Sequence, residues 1–479
     1  MSKERHYSSA KIRDASSHFV IGKIGTGLLA MGWLVLLVRY MDAPEYGTYV
    51  ACLAIFEVTN NLSGMGIGEA IQRFLPEVRI LGGNQEFGSF LMRALRFRLL
   101  SAALFGSAMY LAFDTVTRLA GVSPQPGLAP VFTAFFMGES VLRFFNDHLL
   151  GALLAQKTAQ RILMVKNSVR LLAGLALIGI AQPLTLNAAF SFEVTSAVCA
   201  LLFAFPEVRQ IRREGRLVAH ADNAEAVLNW RAIWRYGAFV YLSLCTYQVY
   251  GSDALRLIVS RFMGSVEMAS YGMAAALADT LKRYLPLFLL TAIIRPTLVA
   301  RYTENRDPAQ LNHLCNLVYK INLFFLAPII ASMAVVGDQV GDWISAGKYT
   351  HAGMLLTLMT ALLATQSLRL IFSMLSATYT FPATTFTATL ASTAGLPISI
   401  LLGLKFGSIG VLGGSLARDL IWITVLVIRL YFAKCSFIPD WLGIGKLAVA
   451  AVAATEASKY FSPYANDVYS LALAGTLVF

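Results

Sequence analysis

GSDALRLIVSRFMGSVEMASYGMAAALADTLKRYLP, residues Gly251 to Pro286, decides how this chain is read. It places Asp253, Arg256, Asp279, Lys282 and Arg283 in surroundings that are otherwise apolar for long runs. It also echoes an earlier stretch, Arg39 to Pro76. Arg39-Tyr40-Met41 followed by Tyr46-Gly47 returns as Arg261-Phe262-Met263 followed by Tyr271-Gly272. Arg73-Phe74-Leu75-Pro76 returns as Arg283-Tyr284-Leu285-Pro286. Ordered matches of this kind predict a duplicated chain whose second half opens here.

The composition fits a membrane protein. Hydrophobic residues make up 57% and charged residues 14%, with a mean hydropathy of +0.62, whereas a soluble domain is about a quarter charged. A transmembrane helix needs about 20 apolar residues, and such runs recur from near residue 18 onward. The net charge of +12 does not form one patch, which argues against a nucleic-acid partner. The five cysteines (Cys52, Cys199, Cys245, Cys315 and Cys435) are scattered, without the spacing of a metal site or disulfide framework. No metal is expected.

Helices are predicted near 18–39, 47–68, 97–113, 128–150, 163–181 and 185–206. A second set follows near 236–261, 269–294, 314–336, 352–376, 385–404 and 409–431, and a further helix near 443–460. Val468 to Phe479 forms a short apolar end. The expected class is an all-α membrane protein of 12–14 transmembrane helices, in two parallel six-helix repeats forming two lobes and a central cavity. The expected domains are a lobe at 1–206, a cytoplasmic linker at 207–235, a second lobe at 236–433 and an extra C-terminal part at 434–479. The apolar run after Lys3, Arg5, Lys11 and Arg13 is too long for a signal-peptide core and is read as a retained helix.

Lys and Arg concentrate in alternate connections: before the first helix and over 73–98, 156–166, 207–235, 295–313 and 429–446. The other side holds Arg118, Lys348 and Lys405. Cytoplasmic connections carry such an excess, so the N-terminus is expected in the cytoplasm. The opposite connections, the longest near 114–128 and 337–351, leave no room for the large external loop of a glycan polymerase or ligase. No phosphate-cradling glycine loop, nucleophile elbow or HExxH is present. Gly22-Lys23-Ile24-Gly25-Thr26-Gly27 falls inside a predicted helix, where small residues allow close packing. No catalytic residues are expected.

A charge at the bilayer centre costs roughly 2.5–3.5 kcal/mol on insertion scales, so charges there are functional candidates. The candidate substrate-binding cations are Arg143, Arg256, Lys282, Arg283, Arg369 and Arg418. The candidate ion-coupling acids are Glu57, Glu139, Asp253 and Asp279. Glu139–Arg143 and Asp253–Arg256, four and three apart, also suit mutual ion pairs. Lys23, Arg170 and Lys320 suit snorkelling to headgroups, and adjacent Arg418 and Asp419 suit separate partners. Guanidinium groups fit phosphate bidentately, while acids suit coupling to protons or sodium. The mixed charges leave a drug cation and a lipid pyrophosphate both open.

These motifs resemble the polysaccharide flippases of the multidrug/oligosaccharidyl-lipid/polysaccharide exporter superfamily, the O-antigen and exopolysaccharide translocases. Arg39-Tyr40-Met41-Asp42-Ala43-Pro44-Glu45-Tyr46-Gly47-Thr48-Tyr49 is similar to that family's RxLGPxxYGxY, with Asp42 in place of the usual glycine. Gly66-Ile67-Gly68-Glu69-Ala70 through Arg73-Phe74-Leu75-Pro76-Glu77 is similar to GLGxAxxRFLPE. Asp253 to Gly264 with Tyr271-Gly272 is similar to DxxxLxxxxGxxxxGxY, with extra residues before Tyr271. The resemblance implies a non-enzymatic flippase in the bacterial inner membrane, carrying an undecaprenyl-pyrophosphate-linked oligosaccharide outward by alternating access. It implies no cofactor beyond a proton or sodium gradient. The implied partners are the lipid-linked substrate, membrane lipids and other polysaccharide-assembly proteins. The alternatives are a cation-coupled multidrug antiporter of the same superfamily and a membrane glycan polymerase or ligase.

Overall fold

A computed structural model describes residues 9–81, 84–123, 125–153, 155–217, 230–291, 294–295, 298, 302, 307–349, 351–379, 382–432 and 437–461. The chain divides into two compact units, Met1–Gln248 and Val249–Phe479. No strand occurs among the described residues.

In the first unit α1 runs Ser9–Tyr40, α2 Ala43–Gly64, α3 Ile67–Leu81 and α4 Asn84–Leu119. Next come α5 at Leu128–Arg143, continued as a π-helical turn over Phe144–Leu150, then α6 at Gln156–Gly179, α7 at Leu186–Leu217 and α8 at Trp230–Tyr250, whose last two residues belong to the second unit. The second unit holds α9 at Ser252–Met263, α10 at Ser265–Tyr284 and α11 at Pro286–Leu289. It continues with α12 at Pro308–Ser345, α13 at Ala352–Thr378, α14 at Pro382–Ser392, α15 at Gly395–Phe432 and α16 at Trp441–Phe461.

The breaks follow backbone chemistry. Met65 ends α2 in the left-handed region and Gly66 follows at φ +73°, bending α3 away by 56°. A Cβ on Gly66 would collide with the Gly237 carbonyl oxygen of α8, so only glycine permits that approach. Leu285, extended at ψ 135°, ends α10 ahead of Pro286, as a residue before proline must. Gly407, at φ +64°, splits α15 into two helical runs. The sequence-based reading missed several of these features. The predicted 236–261 helix divides at Gly251, and much of the 73–98 connection is helical as α3 and the start of α4. Residues 218–229 of the expected linker, Cys435 and the 468–479 segment lie outside the described residues.

The helices of the two units recur in one order. They keep one spacing: α2 and α10 begin 222 residues apart, α4 and α12 224, α5 and α13 224, and α6 and α14 226. Eight helices among the described residues are long and apolar enough to cross a membrane, or nine if the bent pair α2–α3 counts as one. The Thr384–Phe432 run counts once in that total yet contains the Gly407 break. Exposed Leu100, Leu111, Leu202, Leu401 and Phe432 present the apolar outer surface that a bilayer requires.

Each unit has its own core. Ile71, Leu75, Phe90, Phe145, Leu149 and Ile233 pack together in the first. Leu287, Leu326, Phe372, Trp422 and Leu426 pack together in the second. The polar network of each unit lies within a frame of this kind.

Candidate functional site

In the first unit six charged side chains join end to end. Arg170 Nη1 donates to Glu193 Oε1 at 2.8 Å, and Trp33 Nε1 and the Tyr49 hydroxyl donate to the same oxygen at 3.0 and 2.9 Å. Lys166 Nζ lies 3.9 Å from Glu193 and donates to both Glu139 oxygens at 2.7 Å. Arg143 Nε donates to Glu139 Oε1 at 2.9 Å. Arg143 Nη1 reaches both Glu57 oxygens at 2.8 Å, and its guanidinium lies over the Phe56 ring. Three acids thus meet three bases. Helices α1, α2, α5, α6 and α7 all contribute, which ties the first unit together across its apolar packing.

Beside this network Arg98 of α4 is buried at 3% exposure. It donates to Ser63 Oγ at 2.9 Å, to Asn60 Oδ1 and to the Ser140 carbonyl at 3.4 Å. All of these acceptors are neutral. A cavity of about 50 Å³ adjoins it, lined by Asn61, Glu69, Arg143 and His148 among others. A water needs about 10–15 Å³ of such space, so the cavity has room for a few waters. The π-helical turn at Phe144–Leu150 supplies His148 to this wall.

The second unit repeats the scheme. Arg256 donates from Nη1 to Asp253 Oδ1 at 3.0 Å and from Nη2 to Asp279 Oδ2 at 2.8 Å. Asp419, at 0% side-chain exposure, accepts from Arg369 Nη1 at 2.9 Å and from Arg418 Nε at 3.1 Å. Arg418 also donates to the Tyr250 carbonyl at 3.0 Å and to Ser415 Oγ at 3.0 Å. Lys282 donates to Gln366 Oε1 at 2.7 Å and sits over the Phe288 ring. Arg283 is exposed, with no ion-pair partner among the described residues. Here three acids again meet three bases, but Lys282 and Arg283 remain as surplus positive charge.

Positions correspond between the networks. Glu57 and Asp279 are 222 residues apart, Arg143 and Arg369 226, and Glu193 and Asp419 226. Asn60 and Lys282 are 222 apart, Ser140 and Gln366 226. In the first unit Arg98 bridges Asn60 and the Ser140 carbonyl; in the second, Lys282 touches Gln366 directly. The acid–arginine frame is thus kept in both units. Asn60-Asn61 of the first stands where Lys282-Arg283 stands in the second.

Of the sequence-based candidates, the structure pairs Glu57, Glu139 and Arg143 in the first unit, and Asp253, Arg256 and Asp279 in the second. Two expectations differ. Arg170 does not snorkel but pairs with Glu193, because Glu193 of α7 is buried beside it. Lys320, partly exposed as a snorkelling residue would be, also pairs with Asp440. Arg418 and Asp419 share a contact, which Arg369 joins from α13, so adjacency on a helix did not separate them. Sequence reasoning missed Lys166 and Arg98, which it assigned to connections. The four-residue spacing of Lys166 and Arg170, on one face, was the available signal. Among the described residues no cluster of metal-ligating side chains occurs.

Residues 13–299 match the model of a family described as polysaccharide biosynthesis protein. The chain belongs to that family. Among solved structures, it resembles the lipid II flippase MurJ in an inward closed conformation, with a TM-score of 0.70 at 14% identity, covering 96% of each chain. A multidrug resistance MATE family transporter of the MOP superfamily, inward-facing, is similar at TM-score 0.66 and 14% identity, over 88% of this chain and 99% of that one. The MATE multidrug transporter DinF-BH is similar at TM-score 0.61 and 14% identity, over 90% and 97%. These likenesses show the two-lobe transporter fold. No curated protein matches the sequence.

Proposed function

We propose that the protein is a flippase that carries an undecaprenyl-pyrophosphate-linked oligosaccharide across the bacterial inner membrane by alternating access, for O-antigen, exopolysaccharide or capsule synthesis. Its N-terminus lies in the cytoplasm, and a proton or sodium gradient drives it. It is a transporter and not an enzyme. The family supports saccharide cargo, and MurJ, which shares the fold, is itself described as a lipid II flippase.

The observation that carries this reading is the surplus of Lys282 and Arg283. Arg143, Arg256, Arg369 and Arg418 are already held by carboxylates, so each would have to give up a partner to take a phosphate. Lys282 needs only to leave the neutral Gln366, and Arg283 is exposed. These adjacent cations fit one pyrophosphate, for which charge-assisted bonds are the strong ones. The paired residues keep the helices of each unit together while the unit moves.

The test is export in cells carrying Lys282→Gln with Arg283→Gln. Loss of two charge-assisted bonds, each worth about 1.5–3 kcal/mol, should cut export at least roughly ten-fold at unchanged protein abundance. Normal export by this variant would overturn the assignment. A cation-coupled drug antiporter would instead lower accumulation of a fluorescent cation, and that change would be lost with Asp279→Asn.

A further inference from the structure

Helices α12 and α16 of the second unit border an open surface groove of about 470 Å³. Ile321, Phe324 and Phe325 of α12 and Leu447 of α16 form its apolar walls. Phe324 and Phe325 are 54% and 51% exposed. The volume lies within the roughly 300–1,000 Å³ of small-molecule sites. Lys320 and Lys446 also line the groove, and Lys320 Nζ donates to Asp440 Oδ2 at 2.8 Å.

The groove is built, not a gap between loosely placed helices. Asn316 Nδ2 donates to the Ile438 carbonyl at 2.9 Å, and the Asp440 N–H donates to Asn316 Oδ1 at 2.8 Å. The Ile438 N–H donates to Asn312 Oδ1 at 3.1 Å. These bonds fasten the start of α16 to α12. Asp440 neutralises Lys320. Lys446 is exposed and makes no ion pair among the described residues, so the groove lining keeps one positive charge. From Lys320 to Phe325 the helix rises about 7.5 Å, the step from a headgroup level into acyl chains.

A purely apolar occupant would leave Lys446 without a counter-charge in contact, and a soluble anion would leave the aromatic walls uncovered. A molecule with an anionic head and an apolar chain answers both. We propose that the groove holds one acyl chain of an anionic bilayer phospholipid, with the phosphate against Lys446. Basic pockets between membrane helices bind such headgroups on the cytoplasmic side, where the Lys/Arg bias places residues 429–446. The lipid lies outside the charged networks and is a fixed companion of the second unit, not its cargo. This inference does not rest on the flippase reading, and its test contains no transport step.

The experiment is native mass spectrometry of the purified full-length protein, stripped of lipid and then titrated with phosphatidylglycerol or phosphatidylcholine. The wild type should retain one phosphatidylglycerol in preference to phosphatidylcholine. Lys446→Gln should reduce that preference roughly five-fold, the effect of one basic residue near a membrane surface. Leu447→Trp, which fills the groove, should lower binding of both lipids. Equal retention of the two lipids by the wild type would overturn the proposal. So would an unchanged preference in Lys446→Gln, or a co-purifying occupant that proves to be a polyprenyl pyrophosphate. Burial of the groove by a second copy of the chain would do the same.

Discussion

Lys166 Nζ stands 2.7 Å from both carboxylate oxygens of Glu139. Through that one ammonium the α5 pair of Glu139 and Arg143 connects with Glu193 on α7. Removing one member of a buried pair leaves its partner charged and unmatched, at a cost of about 3–5 kcal/mol. Lys166→Met should therefore lower thermal stability in detergent sharply. Lys166→Met with Glu139→Leu should recover part of that loss. A double variant that melts lower by the sum of its parts would refute the coupling.

The corresponding site in the second unit has two guanidinium groups on one carboxylate. Asp419→Asn removes the one carboxylate that Arg369 and Arg418 share, so it should cost more than Arg369→Gln, which leaves the Arg418–Asp419 contact standing. Abundance in the membrane and melting temperature would rank the two. The reverse order would place the main stabilising contact elsewhere.

Gly66 carries a steric demand that Gly88 does not. Gly66→Ala drives a Cβ into the Gly237 oxygen at φ +73°, whereas nothing lies within 4 Å of a Cβ on Gly88. Gly88→Ala, inside α4, should be neutral or stabilising by about 0.5–1 kcal/mol. Gly66→Ala should misfold, or displace α8 and its contacts Phe74–Tyr236 and Phe97–Trp234. Cysteine cross-linking of positions 74 and 236 would detect that displacement.

The start of α16 should respond to acid. The hydrogen bond from Lys320, with a second from the Gly443 N–H, holds the Asp440 carboxyl below its ordinary value of 3.8. A depressed folded-state pKa contributes stability above the ordinary value, and this is lost as pH falls through the folded value. Hydrogen exchange at the Asp440 amide should accelerate as pH falls below about 4, beyond the intrinsic trend. Asp440→Asn should remove that added dependence. An unchanged profile in the variant would show that the carboxyl is not responsible.

What the sequence makes readable is whatever is local or periodic. Apolar runs locate the passes because each must satisfy its backbone within itself in lipid. The repeat is visible because Tyr46-Gly47 and Tyr271-Gly272 hold adjacent positions in their motifs. Glu139–Arg143 and Asp253–Arg256 are visible because they share one helix face. The partners of Arg369 and Arg170 are not, since Asp419 and Glu193 come from other helices and no spacing encodes a contact across a bundle. Arg98 and Lys166 were hidden for another reason: a cation near the end of an apolar run looks like a headgroup residue unless the neutral acceptors or acids facing it are known. The surplus at Lys282 and Arg283 emerges only once every other charge in the network has its partner.

Each ion pair described joins residues on the same side of the Gln248–Val249 division. This bears on the order in which a ribosome delivers the chain. Domains fold as units with the N-terminal one first, and by the time residue 249 is made Glu57, Glu139 and Glu193 already have all their cations. No carboxylate of this first-half network waits in the bilayer for a partner still to be synthesised.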